Sequence, residues 1–306
     1  MRLRLGRPDI TRYADRFDVP AAGLDAPLWV TWLGVATLLL DDGSSALMTD
    51  GYFSRPGLVR VGLGKVAPSA ARVDGCLARA GVSRLAAVIP VHTHIDHVLD
   101  SALVADRTGA RLVGGESAAN VGRGYGLPEN RVIVAVDGEP MTLGAFELTL
   151  VNSHHCPPDR FPGVIGAPLV PPVRASAYRC GEAWSTLVGH PPSGRRLLIQ
   201  GSAGFVRGAL AGYRADIVYL SVGQLGLRSR SYVVDYWTET VRAVGARRVI
   251  LIHWDDFFRP LSEPLRALPY AGDDLDASVR LLDELATHDG VALHFPTVWR
   301  RQDPWA

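Results

Sequence analysis

The sequence predicts an α/β protein of packed β-sheets with helices outside, and three observations carry that prediction. Apolar runs of strand length recur along the chain, as in Leu85–Val91, Phe146–Val151, Ala215–Val222 and Arg248–Ile252, each too short for an ordinary helix. Stretches with helical spacing, such as residues 69–81 and Leu275–Leu285, fall between them. Three of the strands run directly into histidines, at positions 92, 155 and 253. Sheets buried between outer helices satisfy that alternation, and a single domain spanning residues 1–306 is the expected organisation.

Composition narrows the function classes. A chain of 306 residues that is 47% apolar can bury a substantial core, and it contains no apolar run of eighteen residues, so no membrane span is expected. A net charge of +1 offers no electrostatic footprint for nucleic acid. The opening stretch MRLRLGRPDI lacks the apolar centre of a signal peptide. Cys76, Cys156 and Cys180 have no CxxC spacing and cannot all pair, which fits a reducing cytoplasm. Lys65 is the single lysine, which reads as coding bias rather than chemistry.

Taken in order, residues 1–27 are interrupted by Pro8, Pro20 and Pro27, and Leu28–Asp41 reads as two strands bent at Gly34. A helix over 69–81 stops at Gly81, a good C-cap. Leu85–Val91 is a buried strand, and His92, His94, Asp96 and His97 follow it directly. Residues i and i+2 of an extended chain point to the same side, so His92 and His94 can grip one cation together. Asp96 and His97 sit where the chain turns towards a helix carrying Leu99, Leu103 and Val104, placed to face a second cation. A short strand at Arg111–Gly114, a glycine-rich turn around Gly122–Gly126, and strands at Arg131–Val136 and Phe146–Val151 come next. The last of these delivers Asn152-Ser153-His154-His155-Cys156-Pro157.

Residues 157–174 hold six prolines, which excludes a helix or a central strand. A long irregular segment starting beside a candidate ligand reads as a lid, with Arg160 and Arg174 as candidate contacts to an anionic substrate. Residues 183–189 and Arg196–Gln200 form a hairpin whose turn carries His190 as an exposed residue. After Gly201-Ser202 and the strand Ala215–Val222, a helix with Tyr232, Tyr236 and Trp237 runs to about Gly245. Arg248–Ile252 delivers His253-Trp254-Asp255-Asp256, and Val291–Phe295 is expected as the terminal strand. His288 and His294 read as structural.

The run His92-Thr93-His94-Ile95-Asp96-His97 resembles the His-x-His-x-Asp-His signature of the metallo-β-lactamase superfamily. The resemblance extends over roughly residues 28–260. Within it, Trp32-Leu33-Gly34-Val35-Ala36-Thr37, and Asp50 followed by Phe53-Ser54, are similar to the branch containing ascorbate-phosphate lactonases and the phospholipases D that hydrolyse N-acyl-phosphatidylethanolamine. Val35 stands where that branch has histidine. The resemblance implies a four-layer αββα sandwich, the metallo-β-lactamase fold, with metals held by loops at one edge of the paired sheets. It implies one metal on His92, His94 and either His154 or His155. His155 is favoured because it precedes a small residue and a proline, with His154 then an outer or surface group. It implies a second metal near Asp96, His97 and His253, with Asp255 and Asp256 as candidates to orient His253. Ser202 occupies the point where many members carry an aspartate bridging two metals. The implied cofactor is one or two zinc ions, with manganese or iron accepted by the same donors.

The expected function is a metal-dependent hydrolase acting on an ester, lactone, amide or phosphodiester of a small or amphiphilic substrate. Asp96 is the candidate to orient the attacking water. The flavin-linked diiron oxidoreductases of the same fold replace the second histidine of the motif by glutamate and carry a flavin domain, whereas this chain keeps His94. The alternative is a non-catalytic binding protein that retained the fold and one metal, motivated by Val35 and Ser202. The intact motif opposes it, because buried polar groups without a partner are costly. No Gly-x-Ser-x-Gly nucleophile turn is present. A homo-oligomer is compatible with the sequence.

Overall fold

The computed structural model describes residues 4–306, so the first three residues of the MRLRLGRPDI stretch lie outside it. The first half of the chain supplies strands β1 (Trp29–Trp32), β2 (Leu38–Asp41), β3 (Ala46–Thr49), β4 (Lys65–Val66), β5 (Ala87–Ile89), β6 (Arg111–Gly114) and β7 (Val132–Val134). Helices α1 (Leu58–Leu63), α2 (Ala70–Ala80), α3 (Ile95–Val98), α4 (Ser101–Thr108) and α5 (Glu116–Tyr125) lie between them. The second half supplies β8 (Pro140–Leu143), β9 (Phe146–Ser153), β10 (Val173–Arg174), β11 (Ala183–His190), β12 (Arg195–Gln200), β13 (Ile217–Ser221), β14 (Arg248–Ile252), β15 (Ala292–His294) and β16 (Arg301–Gln302), with helices α6 (Arg230–Trp237) and α7 (Leu275–Asp289).

Two seven-stranded sheets result, in the orders β16-β1-β2-β3-β5-β6-β7 and β15-β14-β13-β12-β11-β9-β8. Their strands alternate between two apolar layers in the way a period of two requires. Leu38 and Leu40, Leu47, and Ala87 and Ile89 point into the layer shared by both sheets. Leu39, Met48 and Val88 point outward, under Val73 and Leu77 of α2 and Leu103 of α4. Because both faces of β2, β3 and β5 are buried, their sequences are continuous apolar runs rather than alternating ones. On the other side, α6 and α7 contribute Val233, Tyr236, Trp237, Val279 and Leu282 to the core. The layers are therefore helix, sheet, sheet, helix: an αββα sandwich.

Strand direction decides where the loops gather. In the second sheet β12, β13 and β14 are parallel, and β9 shares their direction because both β9 and β12 pair antiparallel with β11. The segments after β9, β12, β13 and β14 therefore emerge at one edge. In the first sheet β3 and β5 are parallel and β1 shares their direction through β2, so the turns after β1, β3 and β5 emerge together too. Residues at the carboxyl ends of these strands are the ones that can form a shared site.

Several local expectations are corrected. The glycine-rich stretch at Gly122–Gly126 is the end of helix α5, not a turn; only Gly126, at φ +98°, leaves the helix as its cap. Gly122 and Gly124 are needed for close packing: a Cβ at 122 would meet Leu112, and one at 124 would collide with the Leu169 backbone. His190 is buried, not exposed, with Nδ1 2.9 Å from Ser193 Oγ and Nε2 3.3 Å from Asp42 Oδ2. The strand at Ala292–His294 is not the last, since the chain returns to the first sheet as β16 against β1.

Candidate metal centre

Asp50, immediately after β3, fixes the start of the histidine motif. It adopts φ +53° and accepts the Val91 N–H on Oδ1 at 2.9 Å. Its Oδ2 lies 2.7 Å from His97 Nδ1. The motif then turns from β5 into α3 with His94 as the helix cap, which aims His92 and His94 at one point. His92 Nε2 and His94 Nδ1 stand 3.1 Å apart. His155, beyond the end of β9, completes a group whose donor atoms all lie within 4.8 Å of one another. A hydrogen bond of 2.7 Å between His155 Nδ1 and the Cys156 carbonyl leaves Nε2 as the free ring nitrogen.

A second group abuts the first, with the His92 and His97 ring centres 3.9 Å apart. It comprises Asp96, His97 and His253, again with donors within 4.8 Å. Asp96 Oδ2 lies 3.6 Å from His97 Nε2 and 3.4 Å from His253 Nε2. His253 enters from the end of β14 in a left-handed conformation, φ +60°, with its N–H donating to the Val35 carbonyl at 2.9 Å.

Electrostatics separate the two groups. Burial, then His97 beside it, holds the His92 imidazole well below its ordinary range, and burial likewise lowers His94. His155 is pushed down to about 4 by burial and by His94. These three rings are therefore neutral and offer lone pairs. Burial opposes charge on His97 as well, but Asp50 and Asp96 raise it. Burial also works against the Asp96 carboxylate, yet His97 and His253 hold it well below the usual carboxylate range.

These donors suit a divalent ion. A tetrahedral zinc with donors at about 2.0–2.1 Å places neighbouring donors about 3.3–3.4 Å apart. The observed separations of 3.1, 3.4 and 3.6 Å bracket that edge. Neutral nitrogens face each other across the first group, His92 Nε2 against His94 Nδ1, while the outer Nδ1 atoms of His92 and His253 are buried without a hydrogen-bond partner.

The remaining candidates are placed as follows. His154 is exposed and belongs to neither group. Ser202 Oγ accepts the Cys156 N–H at 3.0 Å, so it holds the His155 loop. Asp255 and Asp256 do not orient His253, as the sequence suggested. Asp255 Oδ1 instead accepts the Val35 N–H at 2.8 Å, and Oδ2 pairs with the fully buried Arg55. Asp256 is bound by Arg266 Nε at 3.0 Å and Arg7 at 3.5 Å. The reason is chain geometry: after the left-handed turn at His253, the Asp256 carboxylate lies against Arg266 and Arg7 and the Asp255 carboxylate against the turn after β1. That turn is itself strained, with Val35 at φ +50°, and Gly34 beside it has no room for a Cβ against the Arg55 guanidinium.

A cavity of about 890 Å³ opens over both groups, lined by His94, Asp96, His155, Ser202, Ser221 and His253. Arg160, Phe161 and Arg174 place segment 157–174 in its wall, which Phe257 and Phe258 also line. Arg160 and Arg174 have no acidic partner among the described residues, and the buried Ser221 Oγ has no hydrogen-bond partner. From sequence, Asp50 entered only as part of the resemblance, with no role of its own, and Asp159 was not singled out. Asp50 carried a signal, being a carboxylate at the end of a strand next to β5; Asp159 carried none.

No protein-family model matches the sequence, and no curated protein sequence matches it. Solved structures do. A metallohydrolase from the hyperthermophilic archaeon Ignicoccus hospitalis superposes with a TM-score of 0.51 at 14% identity, over 89% of this chain and 96% of its own. A protein named as a metal-dependent hydrolase, from Parabacteroides distasonis, gives 0.51 at 12% identity over 89% and 93%. A diiron β-hydroxylase from Streptomyces venezuelae gives 0.53 at 14% identity over 92% of this chain, which spans 54% of that larger protein. The chain thus shares the αββα-sandwich fold of these solved structures, and its histidine and aspartate clusters lie at the edge where strand direction gathers the loops.

Proposed function

We propose that the protein is a metal-dependent hydrolase of the metallo-β-lactamase superfamily, acting on a small or amphiphilic substrate at an ester, lactone, amide or phosphodiester bond. The observation that carries this reading is the pair of abutting donor groups, spaced for divalent ions, beneath one substrate-sized cavity. His92, His94 and His155 would hold one ion and Asp96, His97 and His253 a second. A zinc-type ion there supplies Lewis acidity and lowers the pKa of water to about 7. The chain's own residues do the rest. Asp96, kept anionic by its histidine neighbours, orients the attacking water. Arg160 and Arg174 hold an anionic group, while Phe161, Phe257 and Phe258 pack an apolar one. Segment 157–174 acts as the lid that excludes water.

The same nitrogen and oxygen donors accept iron, and a diiron β-hydroxylase shares the fold. The decisive experiment is therefore metal analysis of the purified protein joined to a panel of lactones, thioesters and phosphodiesters. Zinc or manganese with turnover of at least one hydrolysable class is expected. Less than about a tenth of an equivalent of any metal after reconstitution overturns the hydrolase reading, and so does iron bound without hydrolysis.

A further inference from the structure

The outer nitrogens of the clustered histidines are not treated alike. His97 Nδ1 is held by Asp50 and His155 Nδ1 by a backbone carbonyl, both from the scaffold. His94 faces a carboxylate from the proline-rich segment: Nε2 lies 3.1 Å from Asp159 Oδ1. The same Oδ1 accepts the Phe161 N–H at 2.9 Å, which locks the turn that presents it. The segment is laced to the motif through one intermediary strip. Cys180 N donates to the Phe161 carbonyl at 2.9 Å, Gly181 N to Gly163 at 2.9 Å, and Thr93 N to the Cys180 carbonyl at 2.8 Å. The His94–Asp159 contact has the length of a hydrogen bond but lies off line, so Nε2 is a buried nitrogen without a well-aligned partner.

We propose that Asp159 is a positioning residue: its carboxylate takes the Nε2–H of His94, fixes the tautomer that leaves Nδ1 free for an ion, and ties metal affinity to closure of segment 157–174. The inference rests on the metal-centre reading above. A second-sphere acceptor fixes the orientation of a ligating imidazole and raises its basicity. Asp159 is carried, with the Phe161 carbonyl beside it, by the proline-rich segment that walls the cavity rather than by a strand. Any shift of the segment that withdraws Asp159 frees the His94 ring while His97 and His155 stay pinned. By linkage, loading the ion holds the segment shut.

The test is zinc affinity of the full chain by chelator competition, for the parent, Asp159→Ala, Asp159→Asn and Cys180→Ala, together with the melting temperature of each metal-free protein. Asp159→Ala should weaken the first zinc about ten- to a hundredfold, with the metal-free melting temperature unchanged. Asp159→Asn keeps an acceptor oxygen and should lose less, and Cys180→Ala should match the parent. Nitrogen-15 spectra of the zinc-loaded parent should show His94 protonated at Nε2, and Asp159→Ala should broaden or shift that signal. Equal zinc affinity in the parent and Asp159→Ala overturns the proposal. So does the loss of a whole equivalent, which would make Asp159 a ligand of a separate ion with His94 and Cys180. A parent chain that binds no zinc overturns the metal reading and the proposal with it.

Discussion

The two donor groups are built from the same residue types but are held differently. His92, His94 and His155 form an uncharged group, kept from taking up a second proton by burial, with no carboxylate among its donors. Asp96, His97 and His253 contain a carboxylate and have a second one, Asp50, behind the ring of His97. Strain is also concentrated at the second group: His253 and Asp50 both take left-handed backbone, and His253 is locked to the equally strained Val35 turn. The first group is therefore a matter of desolvated lone pairs, and the second of charge held in a costly backbone geometry. Ser202 adds no carboxylate to offset repulsion between two ions: it is a neutral hydroxyl, engaged with the His155 loop.

That contrast can be broken in several places. The largest effect is expected at the lock on the second group. Asp255→Ala leaves Arg55 buried without its charge partner and frees the Val35 N–H, so it should cost about 3–5 kcal/mol of stability, read by urea unfolding. A loss under 1 kcal/mol would mean that the strained turn holds without it. Next, His155→Ala should weaken the first metal at least about a hundredfold, since about 10–16 kcal/mol of zinc affinity would be shared among three histidines. His154→Ala, on an exposed side chain, should change nothing measurable, and equal losses at the two would contradict the placement. Asp50→Asn, which still accepts the Val91 N–H but withdraws the charge behind His97, should lower affinity about ten- to a hundredfold at the second group while sparing the first. The smallest effect is Ser202→Asp, which adds charge between the ions and should tighten the second equivalent several-fold, at some cost to the His155 loop.

These differences also explain what could be read from the chain alone. The doubly buried strands were legible because a strand covered on both faces shows as a continuous apolar run, and Gly81 ends α2 at φ +71° as a helix cap should. The histidine motif was legible because its spacing is local. Contacts between distant segments were not. Asp255 reads as a neighbour of His253, and only the left-handed turn sends it to Val35 and Arg55. The glycines of α5 look like a loop until Leu112 and Leu169 are seen packed against them. His190 looks like a hairpin tip, and its burial depends on Asp42 from the other sheet.

The central claim is that two ion sites stand side by side and differ in strength. Calorimetric titration of zinc into the metal-free full chain tests it most directly. The account predicts two equivalents with clearly unequal affinity, the tighter one weakened about a hundredfold by His155→Ala and the weaker one lost in His253→Ala. Two equivalents of equal affinity would show that some residue outside these groups supplies the missing charge, and no binding at all would contradict the claim outright.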